Sequence, residues 1–262
     1  MGKLTAFLIN KFKAWDRPSQ IAFIMTLVLM IPPVIALLSG VQSLRQPAVV
    51  GLMGLIISAQ GIIMWANRGM VTDYTRAQRA YMAGDFITAR NTLETLYQTG
   101  KADYRELTLL GNTYRQLGDL PASERVLSEA LNIHPRHYFP LYGFGRTLLV
   151  QGRFAEAQHT LEAALQHDAP PAIHFDLGEA MYHQGNEPVA VVHLSQALPH
   201  LDEARRFMAV LLLYNMGKGA PPDAELIAAG WAYWQAQVTL FQHTPYGEAL
   251  KGAMSHVDHS ES

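Results

Sequence analysis

The sequence predicts an all-α chain in which two transmembrane helices precede a solenoid of stacked helix pairs. Two long uncharged apolar stretches lie between Ser19 and Ala66, glycines recur beyond them at a period near 34 residues, and charge is divided unevenly between the two regions. Up to Ala66 the net charge is +4, whereas the remainder carries −6. A net negative repeat region has no attraction for phosphate backbones, so no nucleic-acid partner is expected. There is no cysteine among the 262 residues, which excludes disulfides, thiolate metal sites and cysteine nucleophiles.

The elements follow in order. Within residues 1–18, Leu4, Phe7, Leu8, Phe12 and Trp15 share one face at helical spacing with Lys3 and Lys13 off it, the pattern of an interfacial helix; a disordered tail is the alternative. The transmembrane hairpin is expected over residues 19–66, with a first span at about 21–38 kinked by Pro32 and Pro33. A link over residues 39–47, containing Gly40 and Arg45, leads to a second span at about 48–66. A cleaved signal peptide would share the basic residues Lys11, Lys13 and Arg17, but its apolar run would be shorter, would end in a small-x-small site and would not be followed at once by another span. Arg68, Arg76 and Arg79 follow the second span and only Arg45 lies between the two, so both termini and the repeats are expected on the cytoplasmic side, as in a bacterial inner membrane. Gly51, Gly54, Ser58 and Gly61 line one face of the second span, which either packs on the first span or receives a partner's transmembrane helix.

Gly84, Gly118, Gly152 and Gly185 are spaced 34, 34 and 33 apart. Gly111, Gly145 and Gly178 stand seven residues before the last three, Ser123, Ala157 and Ala190 five after, and Ala130, Ala164 and Ala197 twelve after. This pattern, with Leu110, Phe144 and Leu177 before the first glycines, Tyr114 three residues beyond one of them and Pro135 closing a unit, resembles the tetratricopeptide repeat. Leu148 and Met181 depart from its aromatic position. The resemblance implies a right-handed solenoid over residues 70–241, in units of about 70–103, 104–137, 138–170 and 171–202 with a degenerate cap at 203–241. The first unit is looser, with Ala77 at the helix-A glycine position, and its first helix is expected to continue from the second span. Residues 242–262 are expected to form a flexible tail.

No phosphate loop, dinucleotide fingerprint, Gly-x-Ser-x-Gly elbow or His-Glu-x-x-His helix is present, and the pairs His134 with His137 and His256 with His259 lack a third ligand. The chain is therefore expected to be no enzyme and to hold no metal and no cofactor. The tetratricopeptide resemblance points instead to a partner-binding groove lined by the first helix of each unit. Its residues would be Tyr74, Gln78 and Tyr81, then Arg105, Thr108, Asn112 and Arg115, then Phe139, Tyr142 and Arg146, then Phe175, Glu179 and Tyr182. Asn112, Arg115 and Arg146 would suit a terminal carboxylate, although Glu179 opposes an anion and no lysine completes the set. The aromatics serve equally as inter-repeat packing. The function this implies is a membrane-anchored adaptor or assembly factor binding protein partners, among them a membrane protein or complex, with the lipid bilayer as a further contact. The alternative is a constitutive accessory subunit of a membrane enzyme complex, docked through its transmembrane helices.

Overall fold

A computed structural model describes Phe12 and residues 17–67 and 72–255. The chain divides into two compact units, Met1–Thr72 and Asp73–Ser262. The expected interfacial helix, the junction after the second span and the end of the tail lie outside the described residues.

In the first unit, helices α1 (Arg17–Leu29), α2 (Ile31–Leu38) and α3 (Gln42–Asn67) form a hairpin, α3 packing along both others. The break at Met30 has a local cause. Pro32 and Pro33 have no N–H to give the Val28 and Leu29 carbonyls, so the helix restarts with both prolines in its first turn. The link is shorter than the sequence suggests: it covers only Ser39–Val41, turned by Gly40 at φ +73°. Two stretches, Arg17–Leu38 and Gln42–Trp65, are long and apolar enough to cross a membrane, the second of 24 residues reaching about 36 Å. Their large side chains point outward: Ile21, Ile35, Val50, Ile57 and Met64 are all exposed.

The second unit is a succession of antiparallel helix pairs: α4 (Asp73–Met82) with α5 (Phe86–Gln98), α6 (Tyr104–Gln116) with α7 (Leu120–Ile133), α8 (Tyr138–Val150) with α9 (Phe154–Leu165), and α10 (Ile173–His183) with α11 (Glu187–Ala197). After a 3-10 turn at Leu198–His200 come α12 (Glu203–Asn215), α13 (Ala224–Leu240) and α14 (Pro245–Met254). The recurring glycines explain the pairing. At the end of α6, Gly118 adopts φ +80° and Asp119 N–H returns to the Tyr114 carbonyl at 2.9 Å, closing the helix in the left-handed conformation. The Asp119 carboxylate then accepts the Ala122 N–H at 3.1 Å and starts α7. Within the first helix of each pair a second glycine sets the approach distance. A Cβ on Gly145 or Gly178 would stand 2.8 Å from Cγ of Leu161 or Leu194 on the facing helix, and one on Gly111 would meet Leu127 in the same way. Ala130, Ala164 and Ala197 are fully buried at the matching position of the second helices.

The C-terminus differs from expectation. In place of a flexible tail from Gln242, α14 is a folded helix with Tyr246, Leu250, Ala253 and Met254 buried. Thr244 caps it by accepting the Gly247 N–H at 3.2 Å, Pro245 occupies its first turn, and its apolar residues recur every three or four positions. That signal is present in the sequence but is masked by the polar run around it.

Candidate partner-binding face

The residues expected to line a groove all lie on the first helix of a pair (α4, α6, α8 and α10), but they fall into an open and a closed part. Tyr74, Arg105 and Phe139 are accessible and meet in one pocket of about 340 Å³, completed by Tyr104, His137 and Tyr138; Gln78 is exposed nearby on α4. The Arg105 guanidinium lies 5.6 Å from the Tyr104 ring centroid and its Nε donates to the Tyr104 hydroxyl at 3.1 Å. His137 caps α8, its Nδ1 accepting the Phe139 N–H at 3.1 Å. Burial, His134 and Arg105 hold the His137 pKa below its ordinary value, so a neutral ring with an accepting Nδ1 is favoured. The pocket thus offers aromatic walls and an accessible guanidinium. Tyr104 and Tyr138 escape a reading of groove positions because they precede them in the helix; the signal that finds them is their own spacing of 34.

The closed part begins one turn further along α6. Thr108 turns its hydroxyl back to the Tyr104 carbonyl at 2.6 Å. Arg115 is only 5% exposed. It donates to Asn112 Oδ1 at 2.7 Å, to the Gly143 carbonyl at 3.2 Å and to Thr147 at 3.4 Å, tying α6 to α8. Desolvation and neighbouring Arg146 lower its pKa from the usual guanidinium range. Arg146 pairs with Asp176 at 2.8 Å, and Tyr142 donates to the other Asp176 oxygen at 2.8 Å. Burial disfavours the Arg146 charge, but Asp176 and the surrounding tyrosines outweigh it and raise the pKa. Phe175 is fully buried and tilts against Trp234 of α13, with ring centroids 6.0 Å apart. Tyr81, half-buried, meets Phe86 edge-on at 5.3 Å, and Tyr182 meets His183 in the same manner at 5.3 Å. Arg115 and Arg146 are therefore struts between helices, and the clamp for a carboxylate that the sequence suggests is not assembled.

Glu179 shows what closes this half. Its side chain is wholly buried and accepts the hydroxyl of Tyr246 from α14 at 2.9 Å. Burial, reinforced by Asp176, pushes its pKa up to about 8, so the group is neutral at pH 7. The C-terminal helices reach the ends of the other first helices too: Leu240 lies against Gly118, and Pro245 sits so close to Gly152 that a Cβ there would be 2.6 Å away. Glu179 Oε2, His183 Nε2 and Asn215 Oδ1 remain buried without a hydrogen-bond partner among the described residues. An unpaired buried polar atom of this kind costs about 1–3 kcal/mol. No group of three potential metal ligands occurs among the described residues.

A family model described as tetratricopeptide repeat matches residues 142–207. That stretch carries the tetratricopeptide pattern, and the second unit around it is an all-α, tetratricopeptide-like solenoid of stacked helix pairs. The matched stretch runs from within α8 to within α12 and so includes the Arg146, Asp176 and Glu179 cluster. The solenoid is similar to the crystal structure of a thermophilic TPR protein in Thermus thermophilus, at 20% identity and a TM-score of 0.49, over 65% of this chain and 96% of that one. No curated protein matches. Tetratricopeptide repeats are a non-catalytic scaffold family that serves in protein–protein interaction, and residues 142–207 carry their pattern.

Proposed function

We propose that the chain is a membrane-anchored adaptor or assembly factor that captures a protein partner at the open end of its tetratricopeptide face. The observation that carries this reading is the pocket of Tyr74, Tyr104, Arg105, His137, Tyr138 and Phe139, the accessible portion of a face otherwise occupied by the chain itself. Aromatic walls and an exposed guanidinium suit an extended partner segment bearing an apolar side chain beside a carboxylate. The two apolar stretches would anchor the chain, and the basic residues flanking them support an orientation with both termini and the solenoid on the cytoplasmic face of a bacterial inner membrane. A membrane protein or complex is then the natural partner. Purification in mild detergent, with partners identified by mass spectrometry, is compared for the native chain and for Arg105→Ala. A loss of capture of at least tenfold, worth about 1.4 kcal/mol, is expected with unchanged helicity. Full capture by the variant would reject this site.

A second reading, a constitutive accessory subunit of a membrane enzyme complex, is favoured by one observation. No atom of the described residues lies within 4 Å of where a Cβ would stand on Gly51, Gly54 or Gly61. Ser58 and Gly61 line a hollow with Pro18, Ser19 and Ala22, so the small-residue face is only partly filled by the hairpin. A partner that survives harsher detergent at fixed stoichiometry, and is lost in Gly54→Leu but retained in Arg105→Ala, would select this reading.

A further inference from the structure

The closed half of the face carries more polar chemistry than its cover satisfies. Glu179 Oε2, His183 Nε2 and Asn215 Oδ1 are buried and unpaired among the described residues, and all three belong to side chains in contact with α14. Glu179 takes the Tyr246 hydroxyl on its other oxygen at 2.9 Å, the His183 ring meets the Tyr246 ring edge-on at 6.0 Å, and Asn215 donates to the Ala253 carbonyl at 3.0 Å. Interiors that are closed for good leave very few such atoms unpaired. Three of them along one seat mean that the polar groups of the seat are met only in part by its present occupant.

The occupant itself has the anatomy of a peptide ligand. It enters on Pro245, which lies against Gly152; it is anchored by a single buried aromatic, Tyr246; and it continues as a helix whose Leu250 and Met254 follow at four-residue steps on the same side. Phe241–Thr244 alone separates it from the end of α13, so it is held by its tether as well as by its contacts.

We propose that α14 is an internal peptide ligand, displaceable from the Glu179 seat by a partner segment of the same chemistry: a proline–tyrosine pair opening an amphipathic helix with apolar residues four and eight positions after the tyrosine. Such a segment gains over α14 if it also brings hydrogen-bonding groups to Glu179 Oε2 and Asn215 Oδ1. This goes beyond the adaptor reading and does not depend on the Arg105 pocket.

The test uses the full chain in detergent and a fluorescent synthetic peptide of residues 241–255. The tether gives α14 a high local concentration, so the peptide binds the native chain weakly. It should bind a Tyr246→Phe chain at least tenfold more tightly, and a peptide carrying the same change should lose at least tenfold on both chains. Hydrogen exchange on the unaltered chain supplies an independent measurement. Amides of residues 246–254 should exchange at least a hundredfold faster than those of α10, and faster still with excess peptide. Absence of peptide binding to either chain, or protection of residues 246–254 equal to that of α10, would show α14 to be a fixed cap and overturn the proposal.

Discussion

Arg115 donates to Asn112, the Gly143 carbonyl and Thr147, so its removal takes the donor from buried Asn112 Oδ1 and cuts the tie to α8, where Gly143 and Thr147 keep other partners. Arg115→Ala should therefore cost about 3 kcal/mol in chemical denaturation. Arg146→Ala strands Asp176, whose side chain is fully buried, and should cost about 3–5 kcal/mol. Arg105→Ala, at an exposed position, should change stability little. Glu179 and His183 together give a pH dependence with a definite sign. Glu179 rises from 4.5 to about 8 on folding, so its contribution is fully present below 4.5 and is lost as pH climbs through 8. His183 falls from 6.5 to about 4 through burial, so its contribution is present above 6.5 and is lost as pH falls toward 4. The two oppose each other between 4.5 and 6.5, and between 6.5 and 8 Glu179 acts without that opposition. Denaturation midpoints should fall across that upper window, with a slope of at most about 1.4 kcal/mol per pH unit. Glu179→Gln should flatten it; an undiminished slope would assign it to another group.

At the scale of elements, two kinds of glycine make different demands. Gly145 sits inside α8, where alanine would gain about 1 kcal/mol of helix propensity. Its Cβ, however, would stand 2.8 Å from Leu161 Cγ in a filled core, and overpacking costs about 1–3 kcal/mol, so Gly145→Ala should be destabilising on balance. Gly185 has open space around it but φ of +74°, and Gly185→Ala should cost about 1–2 kcal/mol through backbone strain alone. Thermal melts of the two variants separate the mechanisms: trimming the facing side chain with Leu161→Ala should relieve the first variant's penalty as a non-additive pair, whereas no such partner exists for the second. Both glycine classes are legible in the sequence because one repeated helix pair needs them at every turn. The helix α14 is not, since it belongs to no repeat and its burial depends on a seat assembled from α8, α10 and α12.

For the whole molecule, the division at Thr72 and Asp73 combines with the proposed topology in one experiment. Protease added to sealed vesicles with the cytoplasmic face inside should leave the chain uncut. After permeabilisation it should trim the chain to a resistant helical fragment beginning near Asp73, because each pair buries its apolar face on its neighbours and not in lipid. Digestion of the repeats before permeabilisation would reverse the topology, and failure to accumulate any fragment would deny the second unit independent stability.

The sequence by itself determined what is periodic or contiguous. Apolar runs at about 21–38 and 48–66 announce the helical hairpin, and glycines 34 residues apart announce the helix pairs, because both signals are written along the chain at the spacing the backbone requires. It also placed the expected groove positions on the first helix of each pair, since repeat frame fixes the face a residue occupies. Which of those positions stay open was decided only by tertiary structure. Arg115, Arg146 and Glu179 read as groove residues in the repeat frame, yet Arg115 is buried by its bonds to α8, and Arg146 and Glu179 meet α13 and α14, segments far away in sequence. Whether a charged side chain is a ligand contact or a buried strut depends on what packs over it, and no local pattern carries that information.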